Sequence, residues 1–112
     1  MKAPFRSSRD VILRTPRWSQ AVDFYKTVLG FTVTLESETL VGFETGAIRL
    51  YVEKGETHGP VFDFLVPDVP AAKARLLAAG CTLVEKDPSV PRCYIRDPHG
   101  LIFNVGQSSG TE

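Results

Sequence analysis

Apolar residues in this chain recur with two periods, and the sequence of periods comes twice. Residues 11–15 form a short β-type run that Pro16 stops. Over residues 18–29 the apolar positions Ala21, Val22, Tyr25, Val28 and Leu29 fall at i, i+1, i+4, i+7 and i+8, one face of a helix. Ser19 is the expected N-cap and Gly30 the C-terminal stop. Residues 31–35, 40–44 and 47–53 then read as three strands, with Glu36-Ser37-Glu38 and Gly46 supplying the turns. Phe24 and Tyr25 read as core packing, and Trp18 as core, rim or contact residue.

The second half runs the same way. Residues 61–66 are a strand stopped by Pro67. Asp68 caps a helix that reaches residue 79, with Pro70 in its tolerant first turn. Val69, Ala72, Leu76 and Ala79 form the apolar stripe, and Gly80 ends it. Residues 81–85, 92–96 and 101–105 are three more strands. Pro88 and Pro91 bracket one turn, Asp97-Pro98-His99-Gly100 makes the next, and residues 107–112 read as a disordered tail.

The predicted order is therefore β-α-β-β-β, twice, an α+β class. VLGFTV at 28–33 sits opposite AAGCTL at 78–83, which supports a duplication. One such module alone leaves a sheet face bare. Two can pair into a sheet-lined cup. The expectation is one domain over residues 1–112, with module one at 9–54, module two at 60–107, and a linker at 54–60 rich in Gly and Pro.

Composition narrows the function classes. The 112 residues carry 13 Lys plus Arg against 13 Asp plus Glu. That balance argues against a dedicated nucleic-acid binder. No apolar run approaches the ~20 residues of a membrane span. MKAPFRSSRD lacks the apolar core of a secretory signal. Cys81 and Cys93 lack C-x-x-C spacing and sit in apolar strand patterns, as buried reduced thiols of a cytoplasmic protein do.

Three stretches carry a family resemblance: DVILRT followed by AVDFYKTVLGF, VFDFLVPDV, and RDPHGLIFNV. In order and spacing they resemble the vicinal oxygen chelate superfamily, which includes glyoxalase I, bleomycin-resistance proteins and extradiol dioxygenases. The resemblance implies a glyoxalase/bleomycin-resistance-like fold, a fold that hosts many functions. It also implies four cup-facing positions where family enzymes hold a divalent metal, usually through His, Gln or Glu. These fall on Asp10, Val61, Tyr51 and Asn104. Aspartate is permissive, valine cannot ligate, and a neutral amide is a poor ligand beside carboxylate or imidazole. The expected metal is none, and no other cofactor is implied.

Alternation along residues 47–53 buries Ile48, Leu50 and Val52 toward the helix and sends Arg49, Tyr51 and Glu53 into the cup. The candidate ligand-binding residues are Asp10, Ile12, Arg14, Arg49, Tyr51, Glu53, Asp63 and Asn104, with Val61, Leu65 and Ile102 beside them and Arg92, Tyr94 and Arg96 at the rim. An apolar floor with a few convergent polar groups suits a small molecule. Arg14 matches, by the resemblance, a position contacting an anionic substrate group. An ion pair with Asp63 is the equal alternative. Asn104 is either a pocket residue or a satisfied structural amide. His99 reads as turn filler and His58 as a solvated linker residue, or a ligand under a register shift.

The expected function is metal-free binding of a small aromatic or cationic molecule, as in antibiotic or metabolite sequestration. The alternative is a metal-dependent lyase, isomerase or dioxygenase with a degenerate site built from Asp10, Glu53 or His58, and Asn104. A third reading is a module whose cup is filled by its own side chains. Acid–base chemistry through Asp63 or Glu53 has no geometric support in sequence. The resemblance also implies a homodimer.

Overall fold

The helix signals of the second module act as their chemistry dictates. Asp68 stands in an extended conformation and its carboxylate accepts the Ala71 N–H at 3.1 Å. That satisfies one of the orphan donors at the start of helix α2, Val69–Ala78. Gly80, at φ +100°, lets the chain leave the helix, as Gly30 does at φ +72° in the first module. These details come from a computed structural model, which describes residues 5–87 and 92–108, without the side chains of His58, 85–87 and Arg92. The turn expected between Pro88 and Pro91 lies outside the described residues.

In chain order the strands are β1 Arg6–Thr15, β2 Thr32–Glu36, β3 Leu40–Glu44, β4 Arg49–Lys54, β5 His58–Val66, β6 Thr82–Asp87, β7 Arg92–Arg96 and β8 Ile102–Gln107. Helix α1, Trp18–Asp23, follows β1. The chain forms two compact units, one at Arg9–Val61 and the other taking Phe62–Glu112 together with Met1–Ser8. β1 is thus longer than its apolar pattern, because Arg6 to Ser8 extend it into the second unit. Within the first unit the strand order is β2-β3-β4-β1, and within the second β5-β8-β7-β6. In each, the first strand runs parallel to the last, β1 with β4 and β5 with β8, and the remaining pairs are antiparallel.

The duplication shows in an irregularity. β2 slips register between Val33 and Leu35, and β6 slips between Leu83 and Glu85. Both bulges follow the matched VLGFTV and AAGCTL stretches, so both modules bend their edge strand at the same place.

Each unit has its own core between helix and sheet. In the first, Val41, Phe43, Leu50 and Val52 are buried beneath Trp18, Ala21, Val22 and Tyr25. Phe43 and Val52 are fully enclosed, at 0% exposure. Burial of side chains this size stabilises by about 1.5–3 kcal/mol each. Tyr25, Phe31 and Phe43 pack with ring centroids 6.2–6.5 Å apart. Trp18 is anchored here, its indole N–H donating to the Val52 carbonyl at 2.8 Å. In the second unit, Val66, Ala72, Cys81, Cys93, Ile95 and Val105 form the core, with Phe5, Val69, Leu76 and Phe103 against it.

Four expectations are corrected. The first helix is not α-helical to residue 29: after Asp23 it widens into a π-turn, Phe24–Val28, where Leu29 N–H donates to Phe24 C=O. An i→i+5 winding turns fewer degrees per residue, so the apolar stripe loses phase. Val28 and Leu29 are consequently 66% and 47% exposed, and Phe24 47%, instead of packing in the core. Arg17, not Ser19, occupies the N-cap, and no side chain caps that end. The expected linker at 54–60 is partly strand, since β5 begins at His58. Ala79 lies exposed at the end of the α2 stripe, beyond the reach of the sheet.

Candidate ligand-binding site

Leu50 and Val52 face α1, so pleating sends Arg49, Tyr51 and Glu53 to the opposite sheet face. The parallel register then places Asp10 beside Arg49, Ile12 beside Tyr51, and Arg14 beside Glu53. All six first-unit candidates share this face. It is organised in rows. The outer rows are ionic. Arg14 Nη2 and Nε both reach Glu53 Oε1, at 2.8 and 3.0 Å, and each side chain is only 14% exposed. Arg49 Nε lies 2.6 Å from Asp10 Oδ1, in a contact held by charge, since the N–H does not align as a hydrogen bond. Glu44, in register with Arg49, meets Arg9 at 2.5 Å. Glu44 also accepts the Gly46 N–H at 2.9 Å. That backbone bond first, and Arg9 second, hold its carboxyl below the ordinary 4.5.

The middle row is apolar. Ile12 neighbours Tyr51, and Tyr51 neighbours Gly42 on β3. A methyl group on Gly42 would lie 2.8 Å from Tyr51 Cε1 and 3.3 Å from Leu35 Cβ. The phenol ring therefore lies over bare backbone. Gly42 and Leu35 were missed by the sequence reading. The available signal was a glycine inside a strand, which marks close approach of another group. Gly55 serves Arg14 similarly, because a Cβ there would lie 2.5 Å from Arg14 Cδ.

In the second unit the parallel register sets Asp63 beside Asn104. Asn104 Nδ2 donates to Asp63 Oδ1 at 2.8 Å, and Asn104 Oδ1 accepts the Cys93 backbone N–H at 2.8 Å. The other carboxylate oxygen of Asp63 accepts from Ser8 Oγ at 3.0 Å. Asn104 is thus a bridging amide, tying β8 to β5 and β7. A Cβ on Gly106 would meet Asp63 Oδ1 and Leu65 at 3.2 Å, so that glycine keeps the same face open for the carboxylate. Tyr94, expected at the rim, is buried at 3% exposure in register with Asn104. Arg96 is exposed. Ser8 carried no signal in the sequence, because the hydroxyl meets Asp63 only through folding.

Helix-side concavities complete the picture. Phe5, Ser7, Phe64, Leu76 and Phe103 line an open apolar groove of about 430 Å³, with the Arg75 guanidinium 5.4 Å from the Phe5 ring centroid. Its near lack of polar groups leaves nothing to orient a ligand. A smaller groove of about 320 Å³ lies beside α1, lined by Thr15, Arg17, Gln20, Ala21, Phe24 and Tyr25. At the β7–β8 turn Asp97 Oδ1 accepts N–H groups from Leu101 at 3.0 Å and His99 at 2.8 Å. The Leu101 bond chiefly holds the Asp97 carboxyl below its ordinary 3.8. His99 is exposed and contributes its backbone to this turn. The His58 side chain lies outside the described residues.

Among the described residues the donor set does not fit a divalent metal. Val61 has no ligating atom and is 1% exposed. Asn104 offers a neutral oxygen already bound to Cys93 N–H, and Asp10 stands in an ion pair. Among the described residues no three His, Cys, Asp or Glu side chains are placed to hold a metal ion.

A family model described as a glyoxalase-like domain matches residues 10–106. Among solved structures, a glyoxalase/bleomycin resistance protein/dioxygenase superfamily member from Vibrio splendidus 12B01 superposes with TM-score 0.69 at 19% identity, covering 94% of this chain and all of that one. An extradiol ring-cleaving dioxygenase from B. fuscum superposes with TM-score 0.68 at 22% identity over 92% of this chain. Homoprotocatechuate 2,3-dioxygenase from Brevibacterium fuscum, in an anaerobic substrate complex, gives 0.67 at 24% identity, again over 92%. This chain spans 32% and 36% of those two dioxygenase chains. At such identities the likeness establishes the glyoxalase/bleomycin-resistance-like fold. No curated protein matches the chain in sequence.

Proposed function

Because this chain belongs to the glyoxalase-like domain family, we propose that it is a metal-free small-molecule-binding protein of the glyoxalase/bleomycin-resistance superfamily, acting by sequestration and not by chemistry on its ligand. The carrying observation is Asn104. Where family enzymes place an acidic ligand, this chain has a neutral amide whose oxygen accepts the Cys93 N–H and whose nitrogen donates to Asp63. Val61, with no donor atom, supports the same reading. Each unit offers its own sheet face to a ligand, with Asp10, Ile12, Arg14, Arg49, Tyr51 and Glu53 on that of Arg9–Val61 and, separately, Asp63 and Asn104 on that of the other.

The test has two arms. Purified protein is titrated with nickel, zinc, manganese and ferrous ions, and no stoichiometric binding is expected. The same protein is screened by thermal shift against antibiotics and metabolites, where a ligand of the native state raises the melting temperature by mass action. Tight binding of one metal per chain, lost in Asp10→Ala, would overturn the proposal in favour of a lyase, isomerase or dioxygenase.

The protein is further proposed to act as a homodimer, and a solution mass of one 12.3 kDa chain would contradict that. Cytoplasmic residence is proposed on two buried, unbridged cysteines. Among the described residues no helix is long and apolar enough to cross a membrane.

A further inference from the structure

We infer that the ligand of the Arg9–Val61 unit is a planar, uncharged aromatic molecule that stacks on Tyr51, with Gly42 as the specificity-determining residue. The inference rests on the small-molecule-binding reading above and deepens it. Two independent features of the face carry it.

The first feature is charge. Three carboxylates, Asp10, Glu44 and Glu53, are each matched by a guanidinium, from Arg49, Arg9 and Arg14. Among the described residues the charges of these three pairs cancel. An anionic ligand would have to draw Arg14 away from Glu53, taking a guanidinium from a carboxylate that is 14% exposed. Breaking one side of a buried pair is costly because the remaining charge keeps its desolvation penalty. A cationic ligand faces the same penalty through Arg14 or Arg49. A neutral ring displaces water without disturbing either ion pair.

The second feature is shape. The row between the ion pairs is Ile12, Tyr51, Gly42 and Leu35. Gly42 has no Cβ, and a Cβ there would collide with the phenol ring at 2.8 Å. The ring is thus seated on backbone and is half-buried, and Leu35 beside it is 46% exposed. A seated ring between aliphatic edges is a platform for offset stacking by a flat partner. Any side chain at position 42 would lift the ring and tilt the platform, which makes Gly42 the residue that sets the shape accepted.

The experiment uses three probes of one ring size: uncharged 2-naphthol, anionic 2-naphthoate and cationic 2-naphthylmethylammonium. Each is titrated calorimetrically into the full chain at pH 7. 2-Naphthol should bind at least tenfold more tightly than either ion. Tyr51→Ala, and the bulkier Tyr51→Leu as a second variant, should weaken it about tenfold. Gly42→Ala should weaken it similarly, but not when combined with Tyr51→Ala, since the ring it displaces is then gone. A Gly42 that served folding alone would leave probe affinity unchanged. An ion that binds as tightly as 2-naphthol, or a Gly42→Ala effect that persists without Tyr51, overturns the inference and leaves the small-molecule reading standing. Failure of all three probes overturns the inference, and the broader thermal-shift screen then decides the reading on which it rests.

Discussion

Removing the Asn104 amide should cost far more stability than a half-exposed polar residue usually carries. Asn104→Ala deletes two hydrogen bonds, and their consequences differ. Asp63 is half-buried, so water can replace Nδ2 there, and the net loss is about 0.5–1 kcal/mol. Cys93 is 4% exposed, and its backbone N–H has Asn104 Oδ1 as acceptor at 2.8 Å. Leaving a buried N–H without a partner costs about 1–3 kcal/mol. The sum is about 1.5–4 kcal/mol, or roughly 6–20 °C in melting temperature for a domain of this size. Urea unfolding followed by the fluorescence of Trp18 measures it, with the slope unchanged if the denatured state is unaffected. Asn104→Asp adds a directional check. It sets a second carboxyl against Asp63, so one of the pair keeps its proton above the ordinary range. A folded-state pKa that is raised gives stability present at low pH and lost as pH rises. That variant should be weaker than the parent at pH 7 and recover toward pH 5. A loss under about 0.5 kcal/mol in Asn104→Ala, or a variant Asn104→Asp that is indifferent to pH, would refute the bridging role.

Other expectations follow from the same bonds. Arg14→Ala takes the guanidinium from Glu53, a side chain 14% exposed, and should cost about 2–3 kcal/mol in chemical denaturation, less than the 3–5 kcal/mol of a fully buried pair. Arg9→Ala, at a pair 47% and 39% exposed, should cost clearly less than Arg14→Ala in the same assay, because water screens that pair. Asp68→Ala removes the cap on Ala71 N–H and should cost about 1 kcal/mol, with amide exchange accelerating first at the start of α2. Glu44 and Asp97 both have lowered pKa values, so their contributions are present above the ordinary 4.5 and 3.8 and vanish as pH falls through the lowered values. Glu44→Gln and Asp97→Asn should therefore flatten the acid limb of the stability profile, and a limb as steep as the parent's would count against both.

Much of the fold lies in local pattern, because helix and strand periods, the Asp68 cap and the glycine stops act over a few residues. The β-α-β-β-β order, β3 at Leu40–Glu44 and β7 at Arg92–Arg96 are all readable this way. The π-turn at Phe24–Val28 is not, because the same apolar spacing fits either winding. Nor is the extension of β1 to Arg6, where RSSRD has no apolar alternation and joins a strand only through its neighbours. The alternation of β4 correctly separated Arg49, Tyr51 and Glu53 from Leu50 and Val52, since pleating is a local property.

Sequence by itself determined the family, the duplicated architecture and which residues share a sheet face, because these follow from residue type and period. That Val61 has no ligating atom and Asn104 only a neutral amide oxygen is also legible there, because that is side-chain chemistry. Tertiary structure alone decided the partnerships: Arg14 with Glu53, Asn104 between Asp63 and Cys93, Ser8 on Asp63, and Tyr51 over Gly42. Each joins residues from different strands, and a hydrogen bond or ring contact depends on ångström-scale register that no local period encodes.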